Sequence, residues 1–178
     1  TAIVIMFLLC VFGEGTALGQ GICPLNPPKG PTLIYENRFE PGWGVGGSWS
    51  STTIIQVQTP EQEDSTKKSL LITYPTAWGG TGLYADNLSA YILGKSTLSF
   101  RIRKENSSGD ILVGLHRASP YNTVPVWAYV SNYLVPYQSA QFIAGQWYSV
   151  RVPLSDLQVS DPYIQGVVFQ SSTAGNVY

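Results

Sequence analysis

The chain has 178 residues, a formal net charge of −1 and only 12% charged residues, about half the charged fraction of an ordinary soluble domain. This length suffices for one domain with a hydrophobic core and is short for two. The lysines and arginines form no basic run, which argues against a nucleic-acid partner. Low charge combined with many Gly, Ser, Thr, Tyr and Trp residues favours an extracellular all-β protein over a helical cytosolic enzyme.

Residues 1–19 have the features of a secretory signal peptide whose beginning is missing. An apolar run over residues 2–12 is too short to span a bilayer comfortably. Ala17-Leu18-Gly19 before Gln20 fits the small-x-small pattern of a signal-peptidase site. A membrane anchor is the alternative interpretation. The sequence predicts a secreted protein without stable membrane insertion after the signal peptide is removed.

One cysteine remains once the signal peptide is gone. Cys10 leaves with the apolar run, so Cys23 has no internal disulfide partner. It is expected either to stay free or to form a disulfide with another chain or with residues outside this sequence. Two N-x-S/T triplets, at Asn87 and Asn106, are compatible with a secreted glycoprotein.

Residues 20–31 are rich in proline and glycine and predict a stiff, unpaired lead-in. From residue 32 onward, short runs with strand periodicity alternate with turn signals, and no amphipathic helix is found. The pattern predicts one all-β domain over residues 32–178. Its expected architecture is a two-sheet antiparallel β-sandwich or jelly roll, with a last strand that begins at Gly175 and is cut at Tyr178.

The segment 78–86 contains a glycine-rich strand. Period-two alternation places Trp78, Gly80, Gly82 and Tyr84 on one side of it. Glycines leave the backbone bare, so the two aromatic residues are expected to flank a flat trough.

An aromatic stretch follows at residues 124–137, V-P-V-W-A-Y-V-S-N-Y-L-V-P-Y. Read as one strand, it places its small apolar residues on one face. The other face carries the residues with rings or polar tips, Trp127, Tyr129, Ser131 and Tyr133. Such a row suits stacking against a flat ligand, and it also suits covering a second core layer. The stretch alone leaves both interpretations open.

Four motifs occur in an order typical of a known group of proteins. They are Y-E-N-R-F-E-P-G-W at 35–43, Y-P-T-A-W-G-G at 74–80, G-Q-W-Y-S-V-R-V-P-L-S-D-L at 145–157 and I-Q-G-V-V-F-Q at 164–170. Together they resemble the secreted, galactose-binding-like β-sandwich carbohydrate-binding modules. The resemblance covers residues 32–178 and implies non-catalytic binding of cell-wall polysaccharide. In that group a final strand with Asp-Asp-Ile normally follows, and this sequence ends before it.

The resemblance also implies a structural calcium ion, which many members carry between their first and last strands. The carried-over ligands are Glu40, by the Phe-Glu match, and Glu36. Calcium requires oxygen ligands of this kind. The aspartate that would come from the last strand is absent from the sequence.

Sugar-binding surfaces combine aromatic faces, which meet the C–H groups of a pyranose, with a few polar groups for its hydroxyls. The predicted ligand-binding residues are Trp78, Tyr84, Arg117, Trp127, Tyr129 and Tyr133. The other tryptophans are assigned elsewhere: Trp147 to the core, and Trp43 and Trp49 to the core or to loop anchoring.

The sequence therefore predicts a secreted module that binds polysaccharide without catalysis. One alternative is a structural or adhesive wall protein that uses the sandwich for protein contacts, linked through Cys23. Another is a small glycoside hydrolase or lyase. That alternative lacks a carboxylate pair of diagnostic spacing and a G-x-S-x-G motif, and His116 is the only histidine.

Overall fold

The structure, a computed structural model, describes residues 34–35, 38–58, 68–85, 90–92, 95–105, 108–117, 123–124, 126–135, 142–158 and 163–177. Several predictions concern residues outside these ranges, namely the signal peptide 1–19, the lead-in 20–31, Cys23, Glu36, Asn87 and Asn106.

The described residues form β-strands and two short 3₁₀ turns, so the all-β prediction is confirmed. The strands are β1 (Trp43–Trp49), β2 (Thr53–Gln58), β3 (Lys68–Tyr74), β4 (Gly80–Ala85), β5 (Ala90–Tyr91), β6 (Thr97–Arg103), β7 (Ile111–Arg117), β8 (Ala128–Tyr129), β9 (Leu134–Val135), β10 (Trp147–Pro153), β11 (Tyr163–Ser171) and β12 (Gly175–Val177). The 3₁₀ turns are Val130–Tyr133 and Leu154–Leu157. No helix in this part of the chain is long and apolar enough to cross a membrane.

The strands pair antiparallel in three sheets. A six-stranded sheet has the order β1-β4-β11-β7-β8, with β5 pairing to β11. The two three-stranded sheets have the orders β6-β10-β9 and β12-β3-β2. Neighbours along these sheets are mostly not consecutive in sequence, so the sheets are held together by long-range pairing.

One hydrophobic core lies between the inner faces of the sheets. On β10, for example, Tyr148, Val150 and Val152 are buried while the alternate residues are more exposed. Phe100 of β6 meets Phe169 of β11 edge-on, with ring centroids 5.5 Å apart. Burying a side chain of this size contributes about 1.5–3 kcal/mol. This contact joins the six-stranded sheet to the β6–β10–β9 sheet, as expected for a sandwich.

The stretch 124–137 is not one strand, so that part of the prediction is wrong. It contributes β8 to the six-stranded sheet, then a 3₁₀ turn, then β9 to a different sheet. The Asp110 carboxylate stabilises this turn: its Oδ1 accepts a bond from the Ser131 N–H at 3.2 Å, and its Oδ2 accepts one from the Ser131 hydroxyl. The chain thus crosses between sheets in the middle of the aromatic row.

Of the tryptophans assigned to the core, the structure places one against it and one outside it. Trp43 is half-buried and packs against the core cluster, as predicted. Trp147 is not a core residue: it is on the outer face of the β6–β10–β9 sheet, half-buried, with the Arg101 guanidinium 5.3 Å from its ring centroid. The alternation of β10 explains this, because the buried Tyr148 fixes Trp147 on the opposite face.

Candidate ligand-binding face

The outer face of the six-stranded sheet is lined by glycine residues. Four neighbouring strands contribute glycines at which an added Cβ would collide with a neighbouring atom. These glycines are Gly46, Gly80, Gly82, Gly114 and Gly166. A Cβ on Gly80 would lie 1.9 Å from Cζ2 of Trp49, and one on Gly82 would lie 2.2 Å from Cε2 of Tyr84. Such distances mean that the aromatic rings rest directly on the backbone.

The predicted glycine alternation of β4 is confirmed, but the expected trough is filled by the protein's own rings. Tyr84 covers Gly46, Gly82 and Gly166, and Trp49 covers Gly80. The trough hypothesis is therefore wrong for the space between Trp78 and Tyr84. The glycines serve to seat rings flat on the sheet.

Two aliphatic side chains lie beneath this ring layer. Leu112 of β7 and Val168 of β11 alternate with the core-facing residues of their strands, yet they are only 5% and 1% exposed. The half-buried rings of Trp49, Tyr84 and Trp127 therefore form part of a second apolar layer. Of the aromatic row at 124–137, Trp127 therefore fits the interpretation of a second core layer.

The strand register aligns five residues in a single row across the sheet. Trp49 pairs with Gly80, Gly80 with Gln170, Gln170 with Leu112, and Leu112 with Tyr129. Four inter-strand spacings separate the ends, which makes the row about 19 Å long. We call it the Trp49–Tyr129 row.

Trp78 lies beside this row in an unusual backbone conformation. Its φ is +62°, in the left-handed region that a bulky side chain rarely adopts. Its N–H donates to the Ser171 carbonyl at 2.8 Å. Its carbonyl accepts two bonds, from Trp49 Nε1 at 2.8 Å and from Gln170 Nε2 at 2.9 Å. Three hydrogen bonds thus hold the Trp78 backbone while its side chain stays 53% exposed.

Tyr129 is the second exposed ring of this face. It is 47% exposed and ends the row on β8. Trp127, two residues earlier, lies against Gly114, where a Cβ would approach its Cε3 to 3.4 Å. The structure therefore brings Trp78, Tyr84, Trp127 and Tyr129 to one side of the sheet, with the first and last most accessible.

The only histidine lies at the other end of this face. His116 of β7 meets the Tyr84 ring edge-on at 5.4 Å. Its Nδ1 is buried and has no hydrogen-bond partner among the described residues. Burial raises the pKa of the Tyr84 hydroxyl. His116 thus packs as part of the ring layer on this face.

Two predicted ligand-binding residues lie elsewhere. Tyr133 belongs to the 3₁₀ turn after β8 and packs against the core. Its hydroxyl donates to Asp156 Oδ2 at 2.9 Å, and burial and this carboxylate raise its pKa. Arg117 ends β7, where alternation places it on the side opposite His116, and its N–H bonds to the Thr123 carbonyl at 2.8 Å.

Sequence reasoning missed two residues of the site, Trp49 and Gln170. The sequence predicts Trp49 to lie in the core or to anchor a loop, and it predicts no role for Gln170 in its apolar strand. A usable signal existed, because glycines recur at alternate positions in β4 and also occur singly in β7 and β11. Outward glycines on adjacent strands indicate that rings from elsewhere lie against the sheet.

Glu40 lies in the turn that precedes β1. Its N–H bonds to the Ile34 carbonyl at 3.1 Å, and its carbonyl accepts the Trp43 N–H at 3.0 Å. Within the ranges that the structure covers, no three His, Cys, Asp or Glu side chains group together as metal ligands. Its predicted partner Glu36 is outside those ranges, so calcium binding stays a prediction.

Comparison of the chain with protein-family models, curated proteins and solved structures found no match.

Proposed function

We propose that this protein binds polysaccharide, without catalysis, along the Trp49–Tyr129 row. The observation that carries the proposal is Trp78, whose side chain remains exposed on a strained and firmly held backbone. A left-handed conformation costs a bulky residue about 1–2 kcal/mol. Little burial offsets this cost, because more than half of the side chain is exposed. Strain of this kind is concentrated at binding sites, where the surrounding structure maintains it.

The chemistry of the face suits a sugar chain. Trp78 and Tyr129 offer exposed ring surfaces that can stack on the C–H faces of pyranose rings. The half-buried rings of Trp49 and Trp127 continue the apolar surface between them. The row is about 19 Å long, which suits an extended polymer better than a compact small molecule.

The Trp78 position depends on its neighbours. Trp49 and Gln170 both donate to its carbonyl oxygen, so they set where the exposed indole lies. A pre-positioned ring loses little entropy when a ligand binds. We therefore assign Trp49 and Gln170 as positioning residues and Trp78 and Tyr129 as contact residues.

Native affinity electrophoresis in gels containing xylan or β-glucan, with a cellulose pull-down, tests the proposal. We expect retention by at least one of these polymers. Trp78→Ala and Tyr129→Ala should each raise the Kd about tenfold, equivalent to ~1.4 kcal/mol. Tyr163→Ala is the matched control, because Tyr163 is similarly exposed but lies at the far end of β11 from the row.

Equal loss of retention in the Tyr163 control and in the two contact variants would contradict the assignment of the site. The absence of retention on every polymer would contradict polysaccharide binding. Release of reducing sugar from a retained polymer would overturn the non-catalytic part of the proposal.

A further inference from the structure

A second surface lies on the outer face of the β6–β10–β9 sheet. Its polar and aromatic residues are Ser99, Arg101, Arg103, Trp147, Ser149 and Arg151, all on the side opposite the core. We call it the arginine face. It carries three of the five arginines of a chain whose net charge is −1.

The strand register fixes where the arginines lie. Ser149 pairs with Arg101, and Arg151 pairs with Ser99. Arg101 and Arg151 are therefore diagonal neighbours on one face, with Cα atoms about 7–8 Å apart. Side chains of this length can bring both guanidinium groups to one ligand.

Arg101 is held by an aromatic ring. Its guanidinium carbon lies 5.3 Å from the centroid of the Trp147 ring, within the range of a cation–π interaction. A guanidinium that rests on an indole face keeps its N–H edge available for a carboxylate. Trp147 thus pre-positions Arg101.

The positive charge is only partly matched. Arg103 is buried, and its Nη2 lies 3.4 Å from Oε1 of Glu105. Across the described residues, neither Arg101 nor Arg151 has a carboxylate within salt-bridge distance. Arg101 and Arg151 therefore place two positive charges on neighbouring strands, and no carboxylate of the described residues forms an ion pair with either.

Two further polar atoms of this face lack hydrogen-bond partners in the described part of the chain. They are Ser99 Oγ and Trp147 Nε1, both hidden beneath their neighbours. Ser99 pairs with Arg151 across β6 and β10, so its hydroxyl lies next to the position of a ligand bound by Arg151. Satisfying a buried polar group recovers free energy that the unliganded protein lacks.

We propose that the arginine face binds the carboxylates of an acidic, uronate-bearing glycan, with Arg101 and Arg151 as the contact residues. The guanidinium fork matches a carboxylate in two parallel hydrogen bonds. The hydroxyls of such a glycan supply partners for Ser99 and Trp147. This site is separate from the Trp49–Tyr129 row and does not depend on it.

A glycan fits the face better than an acidic peptide. Peptides commonly bind sheets by adding a strand at an edge, through backbone hydrogen bonds. Arg101 and Arg151 project instead from the outer face of the β6–β10 pair. Ligand contacts on a sheet face come from side chains, and serine hydroxyls favour a hydroxyl-rich partner.

The test is retention by polygalacturonate in native affinity electrophoresis at low and moderate salt, with methyl-esterified polygalacturonate and dextran as uncharged references. We expect retention by the free acid alone. Arg101→Gln and Arg151→Gln should each weaken it about tenfold, since charge-assisted bonds contribute more than neutral ones. Arg38→Gln, an exposed arginine before β1, should leave it unchanged, and so should Trp78→Ala.

Trp147→Phe keeps a ring beneath Arg101 but removes the Nε1 donor, so it should weaken binding less than Trp147→Ala does. The proposal is overturned by equal loss in Arg38→Gln, which would mean non-specific charge attraction. It is overturned too if retention persists in the Arg101/Arg151 double variant, or if poly-glutamate of matched charge competes as well as polygalacturonate. Preference for dextran sulfate over polygalacturonate would refute the carboxylate assignment.

Discussion

Trp78 combines a left-handed backbone, three backbone hydrogen bonds and an exposed indole. At this position a glycine relieves the steric strain without removing any of the three backbone bonds. Stability and binding therefore favour different residues at position 78. The proposed ligand requires the indole ring, whereas the left-handed backbone conformation favours glycine.

We predict that Trp78→Gly is more stable than Trp78→Ala by about 1 kcal/mol, since only glycine adopts this φ freely. Both variants should lose retention on polysaccharide to the same degree. Urea denaturation followed by circular dichroism measures the difference. Equal stability of the two variants would show that the backbone at residue 78 is not strained.

At the residue scale the sequence identified four of the rings on this face, Trp78, Tyr84, Trp127 and Tyr129, because strand alternation is a local property. It misplaced Tyr133, whose position depends on the 3₁₀ turn and on its bond to Asp156. Residues separated by twenty or more positions fix such contacts, and no local pattern reports them.

Strand β4 illustrates how an element is built around its glycines. Its outward positions Gly80 and Gly82 have the Trp49 and Tyr84 rings directly above them. Adding a methyl group there requires a ring to move. Gly47 of β1 offers a contrast, because a Cβ at that position would meet no atom within 4 Å.

We predict that Gly80→Ala destabilises the protein by about 1–3 kcal/mol through overpacking. It should also displace Trp49, weaken its bond to the Trp78 carbonyl and reduce retention on polysaccharide. Tryptophan fluorescence and urea denaturation report the two effects. Gly47→Ala should be neutral in both, and a Gly80→Ala variant that behaves like it would contradict the seating of Trp49 on Gly80.

At the element scale, most strands followed from periodicity and turn residues, whereas the stretch 124–137 did not. Its alternation continues through residues that belong to β8, a 3₁₀ turn and β9. Asp110, 21 residues before Ser131, holds the turn. A period-two pattern therefore cannot distinguish one long strand from two short strands in different sheets.

For the whole molecule, titrating groups buried in the fold are expected to make the stability depend on pH above neutral. Burial lowers the pKa of Lys104 to about 8 from its ordinary 10.5, although its ammonium bonds to the Ser108 and Gly109 carbonyls and lies 4.9 Å from the Phe142 ring centroid. Burial raises the pKa of the hydroxyls of Tyr35, Tyr74 and Tyr84. As the pH rises, the lysine and the tyrosines change the free energy of unfolding in opposite directions.

We predict that the free energy of unfolding rises between pH 8 and pH 10 and falls above that. In the first interval the unfolded state binds more protons than the folded state, because Lys104 is charged only when unfolded. Above an ordinary tyrosine pKa of 10.0 the unfolded chain loses protons that the folded tyrosines keep. Urea titrations at several pH values measure the profile.

Two variants test which groups cause the rise and the fall in this profile. Lys104→Met should remove the rise, and Tyr74→Phe should make the fall shallower, since Tyr74 is fully buried. A profile that is unaltered in both variants would mean that other groups govern stability in this range.

The fold class was accessible from sequence at the scale of the whole molecule, since composition and turn spacing indicate an all-β chain. The arginine face was not. Trp147 was assigned to the core, and Arg101 and Arg151 become neighbours only through the register of β6 and β10. Register between strands that begin 50 residues apart in the sequence depends on the packed core that holds both strands in place.

The Trp49–Tyr129 row runs at right angles to the strands that it crosses. Its direction is also that of the backbone hydrogen bonds joining β1, β4, β11, β7 and β8. A polymer bound along the row would contact both outermost strands, β1 and β8. Separating either strand from the sheet would first require breaking the contacts between that strand and the polymer. Tension applied to the bound polymer would then be shared among five strands from distant parts of the chain.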